Sequence, residues 1–179
     1  MNQKRVPTNG ENVSSRLFLR FFLCYALAVP IGWLLGLRGV LPVDMAAVGG
    51  VELLFVLLAL LGGLLILTTP YLPVLAVLKG LYDMIWLRQV TARAMAGEIG
   101  LLQWNLCFVF LAVSLLLFCL AAARAALFSF LCAAKNMRLF FSRTFGRYLC
   151  ESMLLSGIAS FLYFAWPTIC RQFDIFSTS

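Results

Sequence analysis

Four long stretches without charged residues constrain this chain more than any other feature of its sequence. They cover residues 21–37, 53–78, 99–123 and 152–170. A helix needs about 20 apolar residues to cross about 30 Å of hydrocarbon, and each stretch approaches or exceeds that length. Because the chain is 63% hydrophobic and only 12% charged, it lacks the polar surface of a water-soluble domain and the charge of a disordered one. The sequence therefore predicts an all-α, polytopic membrane helix bundle.

The second apolar stretch is too long for one ordinary crossing, because apolar sequence continues past Lys79 to Leu87. Pro70 and Pro73 interrupt it, since proline removes a backbone donor and disfavours helix in the residue before it. One kinked pass, a full hairpin and a re-entrant pair all remain open for residues 52–88. We favour the hairpin, with Pro70 and Pro73 as the helix break.

The distribution of basic residues supports the hairpin. Lysine and arginine accumulate on the cytoplasmic side of membrane proteins, and five crossings place nine of them inside against four outside, whereas four crossings give seven against six. We therefore expect a single integral membrane domain, 1–179, in the cell membrane, with a cytoplasmic N-terminus. Its predicted parts are a polar cytoplasmic tail over 1–16, helices at about 17–37, 52–69, 74–88, 99–123 and 148–170, and a basic cytoplasmic or interfacial segment over 124–147.

Lys79 and Asp83 are the most informative polar residues, because a spacing of four places them on one helix face. An ionisable residue at membrane depth costs at least about 2.5 kcal/mol and usually faces the protein interior or water. The pair forms either a polar interaction site between helices or an interfacial pair whose lysine reaches water along its stem. We favour the interfacial interpretation, and we interpret Glu52, at the start of an apolar stretch, as interfacial too.

Small residues at helical spacing predict where helices pack. Gly32 and Gly36 form a GxxxG pattern, and Ser156 and Ser160 continue a similar stripe. Small side chains four residues apart allow two helix backbones to approach closely. We interpret the glycine pattern as a contact within this chain.

The sequence offers little chemistry for catalysis. It contains no histidine and no protease, hydrolase, P-loop or dinucleotide motif. A serine–lysine pair using Lys79 would need Ser114 or Ser156 brought to it, and nothing in the sequence argues for that. We therefore expect no enzyme activity, no cofactor and no metal. The basic residues all lie near predicted membrane segments, so we expect them to contact the lipid bilayer rather than nucleic acid.

Residues 69–81, Thr-Pro-Tyr-Leu-Pro-Val-Leu-Ala-Val-Leu-Lys-Gly-Leu, resemble the core of the stage II sporulation protein M family, which carries a proline, an apolar run and a Leu-Lys-Gly motif. The resemblance covers about residues 60–130. This chain departs from the pattern at Asp83, where a small or apolar residue is expected, and lacks a proline near Gln103. The resemblance implies a non-enzymatic membrane protein of endospore-forming bacteria that acts with a peptidoglycan hydrolase and a second membrane protein in forespore engulfment. Lys79 and Gly80 would be the family positions.

Two functions follow from these observations. The first is a multi-pass scaffold that positions other membrane proteins. The alternative is a small transporter component or substrate-binding membrane subunit, which the proline-broken segment favours because discontinuous helices often form binding sites. A transporter should bring several polar residues together inside the membrane, and a scaffold need not.

Overall fold

The structure, a computed structural model, describes residues 10–37, 48–64, 68–134 and 143–172. Within those ranges the chain is entirely helical apart from a short turn at 96–100. The five helices are α1 (Gly10–Leu37), α2 (Val48–Leu64), α3 (Thr68–Met95), α4 (Leu101–Ala134) and α5 (Arg143–Gln172).

Three segments are long and apolar enough to cross a membrane: Ser15–Gly36 of α1, Leu101–Leu131 of α4 and Phe145–Gln172 of α5. Val48–Gly63 of α2 is also apolar but is shorter than these three segments. The prediction of an all-α fold is confirmed for the described residues, and three of the helices have the length and composition of membrane spans. The number of crossings, predicted to be about five, stays a prediction.

Contacts between helices give their relative directions. Gly80 of α3 faces Tyr25 of α1, and Arg88 faces Gly36, so these two helices run parallel. Helices α2 and α3 run antiparallel, because the Tyr71 hydroxyl donates to the carbonyl oxygen of Leu58 near the connected ends of the hairpin. In α5, Tyr148 donates to the carbonyl oxygen of Leu60 across 2.7 Å, which places α5 antiparallel to α2.

The predicted hairpin forms as two separate helices, but its break is not at the prolines. Both prolines lie inside α3, which begins at Thr68. Pro70 lies among the first four residues of the helix, whose N–H groups have no intrahelical partner, so proline costs little there. Pro73 lies less than a turn farther on, where its ring is tolerated at the cost of one hydrogen bond to the carbonyl oxygen of Thr69. The described part of α2 runs to Leu64, and residues 68 and 69, predicted to end α2, belong to α3 instead.

The other helices are longer than predicted. Helix α3 continues to Met95, and α1 begins at Gly10, inside the predicted polar tail. The predicted basic segment 124–147 is helical at both of its ends, in α4 and α5, and only residues 135–142 lie outside the described ranges. Arg124 does not end α4, because its neighbours are alanines with high helix propensity and its guanidinium lies 3.5 Å from Glu151 of α5.

Two hydrophobic clusters form the core. The first surrounds Phe118 and draws on all five helices. The second contains Trp86 and Trp166, whose rings meet edge to face at 6.2 Å. Between them lie the buried charges of the bundle. On α2, α3 and α4 alike, a buried polar residue separates members of the first cluster from members of the second.

Candidate functional site: a buried charge cluster

Lys79 is the centre of a group of polar side chains inside the bundle. Its side chain is 0% exposed. The ammonium nitrogen Nζ donates to Glu52 of α2, to both carboxylate oxygens of Asp83 at 2.9 and 3.1 Å, and to the Ser114 hydroxyl of α4 at 3.3 Å. We name Glu52, Lys79, Asp83, Ser114 and Tyr25 the charge cluster.

The position of Lys79 along α3 makes the charge cluster a central feature. At 1.5 Å per residue it lies about 16 Å from the start of the helix and about 24 Å from its end. Even a fully extended lysine is far shorter than either distance. Lys79 therefore relies on protein groups rather than on water at a membrane surface.

The two carboxylates reach Lys79 from different helices. Asp83 lies one turn after Lys79 on α3, and its Oδ2 accepts a hydrogen bond of 3.0 Å from the Tyr25 hydroxyl of α1. Glu52 comes from α2, and its Oε2 accepts from both Lys79 and the Ser114 hydroxyl. Four helices are thus tied together through charged or hydroxyl groups.

An aromatic ring completes the surroundings of the ammonium group. The centroid of Phe55 lies 5.6 Å from Lys79 Nζ, within the range of a cation–π contact. Phe55 lies one turn after Glu52 on α2, so the same face of α2 supplies both the carboxylate and the ring. Phe55 also packs against Phe118 of the first hydrophobic cluster, with ring centroids 6.4 Å apart.

The interfacial interpretation of Lys79, Asp83 and Glu52 is wrong. Lys79 and Asp83 are fully buried and Glu52 is 4% exposed. The position of Glu52 near the start of an apolar stretch suggests a residue near the membrane surface, and this is why the sequence predicts it as interfacial. Helix α2 instead begins inside the bundle, with Val48 buried against the second hydrophobic cluster.

The sequence reasoning also missed Tyr25, and it found no argument for joining Ser114 to Lys79. Both residues lie within otherwise apolar stretches. A periodicity argument would have placed Ser114 on a buried face of α4, but only the tertiary fold shows which helix that face meets.

The predicted packing glycines lie at the α1–α3 contact. A Cβ added to Gly32 would lie 2.8 Å from the carbonyl oxygen of Leu81, and one added to Gly36 would lie 2.9 Å from Cβ of Arg88. Gly80 is equally tight, since its Cβ would lie 2.8 Å from the carbonyl oxygen of Tyr25. Close approach of α1 thus brings the Tyr25 hydroxyl to Asp83.

Unlike the packing glycines, the two predicted packing serines do not lie at the centre of a helix contact. Ser156 and Ser160 of α5 are partly exposed. Helix α5 packs on the first hydrophobic cluster through Leu155, Ala159 and Leu162. The serines therefore flank this contact and do not form its centre.

A small cavity adjoins the charge cluster between α2, α4 and α5. Its volume, about 10 Å³, is close to the minimum that one water molecule requires. Glu52, Ser114 and Tyr163 of α5 line it, and most of the other lining residues are apolar. Glu52 Oε1 is buried and has no hydrogen-bond partner among the described residues.

Fold and site together define a helical membrane protein with a buried, multi-helix charge cluster. No family model, curated protein or solved structure matches the chain. The resemblance to the stage II sporulation protein M family therefore stays a prediction.

Proposed function

We propose that this chain is a non-enzymatic multi-pass membrane protein that positions other membrane proteins. The closed charge cluster is the observation that supports this function best. The charged groups and two hydroxyls hydrogen-bond one another across α1–α4, and the adjoining cavity is water-sized. Buried polar networks favour one specific arrangement of the elements they join when nearly all of their groups are paired, as they are here apart from Glu52 Oε1. A bundle whose helices are held in one arrangement suits a protein that binds partners through its outer faces.

The outer face of α5 is the best candidate for contact with a partner. Met153, Phe161 and Phe164 are exposed, and Phe161 is 73% exposed. Gly157 lies on the same face at helical spacing, and a Cβ there would meet no atom within 4 Å. A partner helix could approach α5 closely at this glycine, with the aromatic rings on either side.

The resemblance to the sporulation family supplies the finer part of the proposal. It supports a role in endospore formation, during forespore engulfment, with a peptidoglycan hydrolase and a second membrane protein as partners. The same proposal places the chain in the cell membrane, with five crossings and a cytoplasmic N-terminus. With five crossings, nine basic residues of the sequence fall inside against four outside, which supports that orientation.

Site-specific photo-crosslinking in the native host tests the scaffold function. A photoreactive amino acid at position 161 should give a product of one defined mass, because a partner helix covers this face. The matched control is position 56 on α2, where the side chain is 1% exposed and faces the core. Absence of any protein product from positions 153, 161 and 164 on α5, and from the exposed position 27 on α1, would contradict the proposal. Mass spectrometry of the product tests the identity of the partner.

A transporter component is the second candidate, and one specific observation favours it. Five polar side chains from four helices converge inside the bundle, which is what a transporter should show. Ser114→Ala separates the two functions, because it removes a hydroxyl and keeps all three ionisable groups. The scaffold function predicts an unchanged crosslink at position 161. Loss of solute accumulation in the host with an intact crosslink would favour transport.

A further inference from the structure

The charge cluster carries an unequal number of ionisable groups. One lysine faces two carboxylic acids, and all three side chains are at most 5% exposed. With every group ionised, the cluster would hold one net negative charge in the interior of a membrane bundle. An uncompensated charge in such surroundings costs several kcal/mol, and a buried acid generally becomes neutral instead.

The groups around the carboxyls supply no second cation. Tyr25 faces Asp83 from α1, the Ser114 hydroxyl and the Cys119 thiol face the cluster from α4, and Tyr163 lines the cavity from α5. The hydroxyls stabilise a carboxylate by donating hydrogen bonds, but they do not balance its charge. Among the described residues, Lys79 is the one cation in contact with the two acids.

Glu52 provides a second observation that is independent of this charge count. Its Oε2 accepts two hydrogen bonds, whereas its buried Oε1 accepts none from the described residues. Glu52 also lines the water-sized cavity. A buried carboxyl oxygen beside such a cavity is where a water molecule can exchange a proton with the interior.

We propose that the charge cluster is a proton-binding site, in which Glu52 and Asp83 together hold one proton that exchanges through the cavity that Glu52 lines. The balance is then one ammonium group, one carboxylate and one carboxylic acid, with no net charge. Both carboxyls bind the same ammonium nitrogen, so the proton belongs to the pair and not to either residue alone. A monovalent metal cation could balance the same charge, but the largely apolar cavity wall supplies too few oxygen ligands for it.

Infrared spectroscopy of the full chain in lipid nanodiscs at neutral pH tests this site. The wild type should show the C=O stretch of a protonated carboxyl, and Glu52→Gln and Asp83→Asn should each abolish it, because the remaining carboxylate then balances Lys79. Lys79→Met should increase the band about twofold, since both acids then lack a cation. Glu151→Gln, at a partly exposed acid outside the cluster, should leave the band unchanged.

The exchange route has its own test. Ala159 lines the cavity from α5, and Ala159→Leu should slow the shift of the band in D₂O without reducing its intensity. No carboxylic acid band in the wild type would overturn the proposal, even if every variant failed to fold. A band that survives both amide variants, or one that sodium ions remove, would overturn it as well.

Discussion

Replacing Lys79 with methionine removes the cation of the charge cluster while keeping a flexible side chain of similar length. Glu52 and Asp83 then lose the ammonium group, and Ser114 and Phe55 lose a neighbour. Volume is nearly conserved, so little of the effect comes from a cavity. The change in stability reports the electrostatics of the cluster.

The expected loss of unfolding free energy is large. Removing one partner of a buried ion pair costs about 3–5 kcal/mol, and a charged side chain at mid-membrane costs about 2.5–3.5 kcal/mol. These values apply because Lys79 and Asp83 are fully buried and Glu52 nearly so. We expect about 3 kcal/mol, the lower end, since carboxyls that lose their cation can take up protons. That is roughly a 100-fold change in the folding equilibrium.

Equilibrium unfolding in mixed micelles measures this loss. Trp86 and Trp166 lie in contact in the second hydrophobic cluster, so their fluorescence reports loss of the core, and circular dichroism reports loss of helix. Arg93→Met is the matched control. Arg93 is also a basic residue of α3 with an acidic neighbour, Glu98, but its side chain is 46% exposed.

The control should change the free energy of unfolding by less than about 1 kcal/mol, as is usual for exposed ion pairs. If Lys79→Met costs no more than Arg93→Met, the lysine does not hold the bundle together. The conclusion that the charge cluster stabilises the bundle would then be refuted.

Three further experiments test other parts of the structure. Gly80→Ala should lower the free energy of unfolding by about 1–3 kcal/mol, because its Cβ would lie 2.8 Å from a carbonyl oxygen of α1. The control Gly157→Ala, on the open face of α5, should be neutral or slightly stabilising in the same unfolding assay. Tyr148→Phe should cost about 1 kcal/mol, since it leaves a buried carbonyl oxygen of α2 without its 2.7 Å hydrogen bond; equal stability would contradict the α2–α5 contact. Cysteines placed at Arg93 and Arg143 should react with an impermeant reagent from opposite sides of the membrane, because α4 separates them, and labelling from one side would contradict a crossing by α4.

The class of the protein follows from the sequence because lipid imposes a strong and simple condition. Apolar stretches of about 20 residues must be helical when they cross a bilayer, and the chain has several. Gly32 and Gly36 could also be recognised, since close helix contacts in membranes select small residues at this spacing. These signals are local and need no knowledge of the tertiary arrangement.

The charge cluster could be predicted only in part. The spacing of Lys79 and Asp83 places them on one face, but their depth depends on how far α3 extends on either side. Glu52 joins them across 27 positions of sequence, and Tyr25 across 58. The one available signal was charge: an unpaired acid near the start of an apolar helix calls for a cation elsewhere in the bundle.

The ends of the helices were the least predictable feature. Pro70 and Pro73 suggest a break because proline ends helices in their interior, yet near the start of α3 the same residue is well tolerated. Arg124 suggests the start of an interfacial segment, yet α4 continues to Ala134. In both places a residue type typical of a boundary lies inside a helix, since its polar or backbone requirement is met locally.

The most direct test of the central claim is whether Glu52, Lys79 and Asp83 act as one unit. The variant Glu52→Gln/Lys79→Met/Asp83→Asn removes all three ionisable groups and keeps amide oxygens that can accept hydrogen bonds from Tyr25 and Ser114. Its free energy of unfolding in mixed micelles should lie well above that of Lys79→Met and within about 1–2 kcal/mol of the wild type, because replacing a whole buried ion cluster is often nearly neutral. A triple variant at least as unstable as the sum of its three single substitutions would show that the residues act independently, and would contradict the account.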